Sequence, residues 1–152
     1  MDEELIFLQK ENIHSAKEAL QFLSKQLLEK GIVNKDFEKA ILDREQVFPT
    51  GLQFDGYGVA IPHTDAEFVN NTKIAIMTLK DPVEFTQMAT NDQLVPVKLI
   101  MMLAIPNAHS QVELLQKVVT VLQDKDIIMK LLDYSDNQKA DFLNLLSTYH
   151  II

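Results

Sequence analysis

The run from Val97 to Ile105 constrains the fold more than any other stretch. It is the most hydrophobic in the chain, is interrupted only by Lys98 near its start and is closed by Pro106. Its length suits a buried strand and falls well short of a membrane span. Lys73 to Leu79 makes a related demand, because Ile74, Ile76 and Thr78 alternate with Ala75, Met77 and Leu79. A strand apolar on both sides needs a cover on both sides, which predicts a central strand sandwiched between helices.

The rest of the chain supplies strands and helices in alternation. Leu5 to Leu8 reads as a first strand. Ser15 with Glu18 forms a capping box, and Ala16, Ala19, Leu20, Leu23 and Leu27 continue at helical spacing to Gly31, predicting a helix over about 16–30. Asn34 is placed to cap a second helix whose buried stripe is Phe37, Ala40 and Ile41. Phe48 to Leu52 is a breaker cluster and Gln53 to Tyr57 a tight turn around Asp55-Gly56. Val59 to Ile61 reads as a strand, and Asp81-Pro82 separates 74–79 from a short edge strand over 83–85. Thr86 to Leu94 reads as a surface loop. Ser110 and Glu113 are spaced as a second capping box, with Val112, Leu115, Val119 and Leu122 on one helical face. Two more helices are expected, about 126–132 and 138–149. The expected architecture is a single α/β domain over residues 1–152, with a mixed, roughly five-stranded sheet covered by helices on both faces.

Composition narrows the chemistry. There is no cysteine, so a disulfide framework, a thiolate zinc site and a cysteine nucleophile are excluded. The acidic start, Met1-Asp2-Glu3-Glu4, with no long apolar segment after it, supports neither a secretory signal nor direct membrane insertion and suggests a cytoplasmic protein. A net charge of −8 disfavours nucleic acid or an anionic membrane as a partner and suits a basic protein.

His63 is the candidate reactive group. It follows Val59-Ala60-Ile61-Pro62, and because Pro62 has no N–H for a sheet ladder, pairing is expected to stop there and leave the imidazole displayed at a strand end. Arg44, the only arginine among 14 basic residues, falls on the Phe37/Ala40/Ile41 stripe, with its stem over the core and its head needing an anion or water. Its bland alternative is a solvent-facing charge that offsets the helix C-terminal dipole. Thr50 carries a hydroxyl donor beside Gly51, so Arg44, Thr50 and His63 are expected to converge. His109 opens the helix after Pro106, where the dipole disfavours imidazolium and favours a bound anion nearby. His14 and His150 read as surface residues.

Three chemistries compete for these groups. A metal site from His63, Asp65 and His109 lacks ligands to complete its shell. A serine hydrolase lacks a nucleophile turn. Phosphoryl transfer through a histidine fits better, since it needs a neutral imidazole and donors for phosphoryl oxygens.

The ordered set Arg44-Glu45, Pro49-Thr50-Gly51-Leu52, Gly58-Val59-Ala60-Ile61-Pro62-His63 and His109 resembles the IIA components of the bacterial phosphoenolpyruvate-dependent sugar phosphotransferase system, in the mannitol/fructose class, and most of all the galactitol-type branch. The resemblance implies that His63 takes a phosphoryl group on Nε2 from the carrier protein HPr and passes it to a cysteine of a IIB component. Arg44 and His109 would assist, with Arg44, Thr50 and His109 binding phosphate. It implies neither cofactor nor metal. It also requires a proton on Nδ1 of His63, for which a carbonyl acceptor is expected. Phe54, Tyr57 and Phe68 are expected to rim the partner contact. A regulatory module whose phosphorylation state controls a regulator or transporter is the alternative.

Overall fold

A computed structural model describes residues 2–149 of the chain. His150 lies outside the described residues. Five strands, β1 (Ile6–Lys10), β2 (Gly51–Phe54), β3 (Tyr57–Ala60), β4 (Lys73–Thr86) and β5 (Leu94–Ala104), form one sheet in the order β1-β4-β5-β3-β2. The sheet is mixed: β1 runs parallel to β4 and β3 parallel to β5, while β4/β5 and β2/β3 are antiparallel.

The alternation along the central strands sorts the core into two layers. Ala75, Met77 and Leu79 of β4 join Ile100, Met102 and Ala104 of β5 beneath α1 (Ala16–Glu29) and α2 (Phe37–Val47). Ile74 and Ile76 join Leu99, Met101 and Leu103 beneath α3 (Ala108–Leu122), α4 (Lys125–Asp133) and α5 (Lys139–Ser147). Phe37 and Phe142, both fully buried, anchor the two layers. Truncating either to alanine would cost about 3–5 kcal/mol.

Four local expectations are corrected. The breaker cluster and turn at 48–57 contain a strand: Leu52 pairs with Val59 and Phe54 with Tyr57 across Asp55-Gly56, with Gly56 at φ 87°. Val83 to Phe85 is no separate edge strand but the continuation of β4, paired to Val95–Val97 beyond a register shift between Thr78 and Val83. Pro82 is tolerated because it falls within this unpaired register shift, where the ladder does not need its missing N–H. The second helix is capped at Asp36 without a side-chain bond, Asn34 accepting instead from the Asp36 N–H. On α3 the cap is Asn107, which accepts from the Ser110 N–H; Leu114, Val118, Val121 and Leu122 are buried while Val112 is exposed.

The far ends of β4 and β5 fold over β2 and β3. A Cβ at Gly58 would lie 2.1 Å from the Pro96 carbonyl oxygen, and one at Gly51 would lie 2.6 Å from that of Thr86. Only glycine permits that approach.

Candidate functional site

The topology gathers the site at one edge of the sheet. Because β3 and β5 run parallel, their carboxyl ends lie together, and α3 begins just beyond β5. Gly51 pairs with Ala60, so β2 starts beside the end of β3 and brings the last turn of α2 with it. Residues beyond the carboxyl ends of such strands are where open α/β sheets hold their ligands.

His63 stands at this edge, three residues past β3. Its mount is fixed from both neighbouring strands: the Ile61 N–H donates to the Thr50 carbonyl at 3.3 Å, and the Leu103 N–H to the Pro62 carbonyl at 3.0 Å. The half-buried ring places Nδ1 2.9 Å from the Ile61 carbonyl oxygen. A carbonyl only accepts, so Nδ1 carries the proton and Nε2 keeps its lone pair. Desolvation is the main influence lowering the His63 pKa below its ordinary value, with the Arg44 charge acting in the same direction and the Ile61 bond against it. The ring is therefore neutral at pH 7, the state a nucleophile requires.

Arg44 and Asp65 share a cavity of about 180 Å³ with His63, whose wall is completed by Thr64, Leu103, Gln111, Val112 and Leu115. Arg44 Nη1 lies 3.6 Å from Asp65 Oδ1, and the guanidinium carbon lies 5.1 Å from the centre of the exposed Phe48 ring. The arginine is thus oriented by a carboxylate and an aromatic face while about a third of its side chain stays open to solvent. An incoming phosphoryl oxygen would meet a preset charge. A charge-assisted bond of that kind contributes about 1.5–3 kcal/mol, less where water shares the site.

Thr50 and His109 are not brought into this cavity. Thr50 is buried, and its N–H and hydroxyl both donate to the Glu45 carboxylate, the N–H at 2.8 Å. Its carbonyl meanwhile receives the Ile61 N–H, so Thr50 braces the His63 mount to α2. His109 sits in the first turn of α3 with its side chain 84% exposed and Nε2 3.0 Å from Glu113 Oε1. The metal triad is not assembled: no cluster of three or more His, Asp or Glu suited to an ion occurs among the described residues.

Two residues at the site were given no role from the sequence. Glu45 is half-buried and its pKa is pushed up to about 7 by burial, with the two Thr50 bonds and the Arg44 charge opposing the shift. Gln111, from the first turn of α3, reaches the cavity that His109 does not. A polar residue two places beyond a helix-opening histidine carries no spacing signal, so only the helix orientation reveals it. The expected aromatic rim also changes. Tyr57 is buried with its hydroxyl donating to the Leu122 carbonyl, Phe54 stacks on it, and Phe68 packs against the core. The exposed aromatic beside the site is Phe48.

Fold and site together describe an α/β protein that displays one neutral histidine at the strand ends, in a cavity shared with its one arginine. Residues 1–148 match the family described as phosphoenolpyruvate-dependent sugar phosphotransferase system, EIIA 2. The chain is 30% identical over 125 residues to the galactitol-specific EIIA component of Escherichia coli K12, covering 82% of this chain and 83% of that one. It is 42% identical over 81 residues to the transcriptional regulator ManR of Bacillus subtilis, covering 53% of this chain and 12% of the regulator. Its fold superposes with a TM-score of 0.77 and 26% identity on the mannitol enzyme IIA of Escherichia coli, solved in complex with phosphorylated enzyme IIB, covering 97% of each chain. The chain belongs to the EIIA 2 family and is a phosphotransferase relay component of sugar transport. No helix among the described residues is long and apolar enough to cross a membrane.

Proposed function

We propose that His63 accepts a phosphoryl group from the phosphohistidine of HPr and hands it to a cysteine of a IIB component, serving uptake of galactitol or a related sugar alcohol. The observation that carries this reading is the Nδ1 contact to the Ile61 carbonyl, which leaves the Nε2 lone pair for phosphorus in a cavity shared with Arg44. In the first step the donor's P–N bond breaks as the Nε2–P bond forms, and the Nδ1 proton stays on the ring. The resulting cationic ring is offset by the negative charge of the phosphoryl group, whose oxygens Arg44 stabilises in turn. In the second step a IIB thiolate attacks phosphorus and Nε2 leaves with its electron pair, restoring the neutral ring. The phosphoryl group arrives already activated, so positioning and electrostatics carry the catalysis without a metal or nucleotide. Arg44 is the phosphoryl-binding residue in this account, Thr50 a brace for the mount, and His109, exposed outside the cavity, makes a smaller contribution.

The test is reconstitution with phosphoenolpyruvate, enzyme I, HPr and a galactitol-type IIB. One acid-labile phosphate on the wild type, absent from His63→Ala and discharged by IIB, supports the reading. Label that persists on His63→Ala overturns it. A second reading is favoured by the match to a segment of ManR: a module whose phosphorylation state governs a regulator. It predicts phosphorylation by HPr without discharge to any IIB.

A further inference from the structure

Gln111 lines the His63 cavity, and the relay chemistry leaves it without a task. Its Nε2 lies 3.0 Å from two carbonyl oxygens, those of Thr64 and Ile105. Both partners only accept, so the amide nitrogen faces them and the oxygen cannot. Two N–H groups meet two carbonyls, which leaves no donor for a phosphoryl oxygen. Gln111 is therefore not built to hold phosphate.

What it holds is backbone. Thr64 directly follows His63, and Ile105 directly follows β5. The side before His63 is pinned by main-chain bonds from Ile61 to Thr50 and from Leu103 to Pro62. On the far side the Gln111 amide ties Thr64 to the end of the central strand and to the first turn of α3. We infer that Gln111 is a positioning residue for His63, fixing the segment on which the ring is mounted and so the direction of Nε2. This inference rests on His63 being the phosphoryl acceptor. It concerns rate: a reacting atom displaced by about 1 Å can cost on the order of 100-fold in rate while partner docking is unaffected.

The experiment compares wild type, Gln111→Leu and Gln111→Glu for transfer from phospho-HPr, with thermal melting to verify folding and His63→Ala as the control. At pH 8 both Gln111 variants should lose about tenfold or more in kcat with KM nearly unchanged. Lowering the pH should partly restore Gln111→Glu, whose protonated carboxyl has one O–H for a carbonyl, and should leave the ratio of Gln111→Leu to wild type constant. A wild-type kcat in both variants, or a loss confined to KM, overturns the inference. The ¹⁵N shifts of His63 give a readout that needs no phosphorylation. They should move in folded Gln111→Leu, and unmoved shifts overturn the inference. Should Gln111→Leu not fold, slow exchange of the wild-type Gln111 amide protons is required, and fast exchange overturns it. Failure of wild type to be labelled, or label on His63→Ala, would strike the acceptor reading instead, while the ¹⁵N shifts still decide Gln111.

Discussion

Arg44 and Asp65 form an ion pair, 3.6 Å from Nη1 to Oδ1, inside the cavity that holds His63. The guanidinium thus has a carboxylate partner before any phosphoryl group arrives. A relay must bind phosphate without trapping it, and a competing carboxylate limits how tightly the arginine can hold. Asp65→Asn should free Arg44 and shift the equilibrium between phospho-HPr and this chain toward this chain by about two- to fivefold, in line with about 0.5–1 kcal/mol for a largely exposed pair. Quantifying both phosphoproteins at equilibrium checks this, and an unchanged ratio would make the pair incidental.

Arg44→Lys keeps the charge and loses the planar fork. It should slow phosphorylation about tenfold, or about 1.4 kcal/mol in barrier, with little change in melting temperature. Single-turnover transfer from phospho-HPr measures it.

The lowered pKa of His63 gives a pH signature in both rate and stability. Because the folded ring stays neutral below the ordinary value of 6.5, the acceptor rate should hold as pH falls through 6.5 and drop only at the lower folded value. For stability the sign is opposite to that of a raised group. Between the two pKa values the unfolded chain binds the proton that the folded chain refuses, so stability declines as pH falls below 6.5. Denaturant titrations should show His63→Ala without that decline.

Glu45 works the other way. Its folded pKa of about 7 exceeds the ordinary value of 4.5, so its contribution is fully present below 4.5 and is lost as pH rises to about 7. Allowing for its partial exposure, the loss should be on the order of 2 kcal/mol. Glu45→Gln should remove that slope between pH 5 and 7. A variant whose pH profile parallels the wild type would show that Glu45 ionises normally.

Much of this was legible in residue order because it depends on short-range rules. The Ser15 hydroxyl accepts from the Glu18 N–H as its spacing requires, and α1 runs from Ala16 to Glu29. The two-faced apolar pattern of Lys73–Leu79 placed β4 inside the sheet. The acceptor for the His63 Nδ1 proton was expected as a carbonyl and is that of Ile61. The misreadings arose where tertiary contacts outweighed local signals. Gly51 looks like a breaker, yet it is an edge-strand residue whose missing side chain admits the Thr86 backbone. Pro82 looks like a strand end, yet it sits in a register shift within β4. The Thr50 hydroxyl looks available, but its partner Glu45 is supplied by the preceding helix. His109 and Gln111 are two residues apart, and only the rotation of α3 decides that the glutamine faces His63.

The account turns on which nitrogen of His63 takes the phosphoryl group. With uniformly ¹⁵N-labelled protein phosphorylated by phospho-HPr, NMR should show ³¹P–¹⁵N coupling at Nε2 of His63 and a proton retained on Nδ1. Coupling at Nδ1, or at a nitrogen of His109 with His63 unmodified, would contradict it.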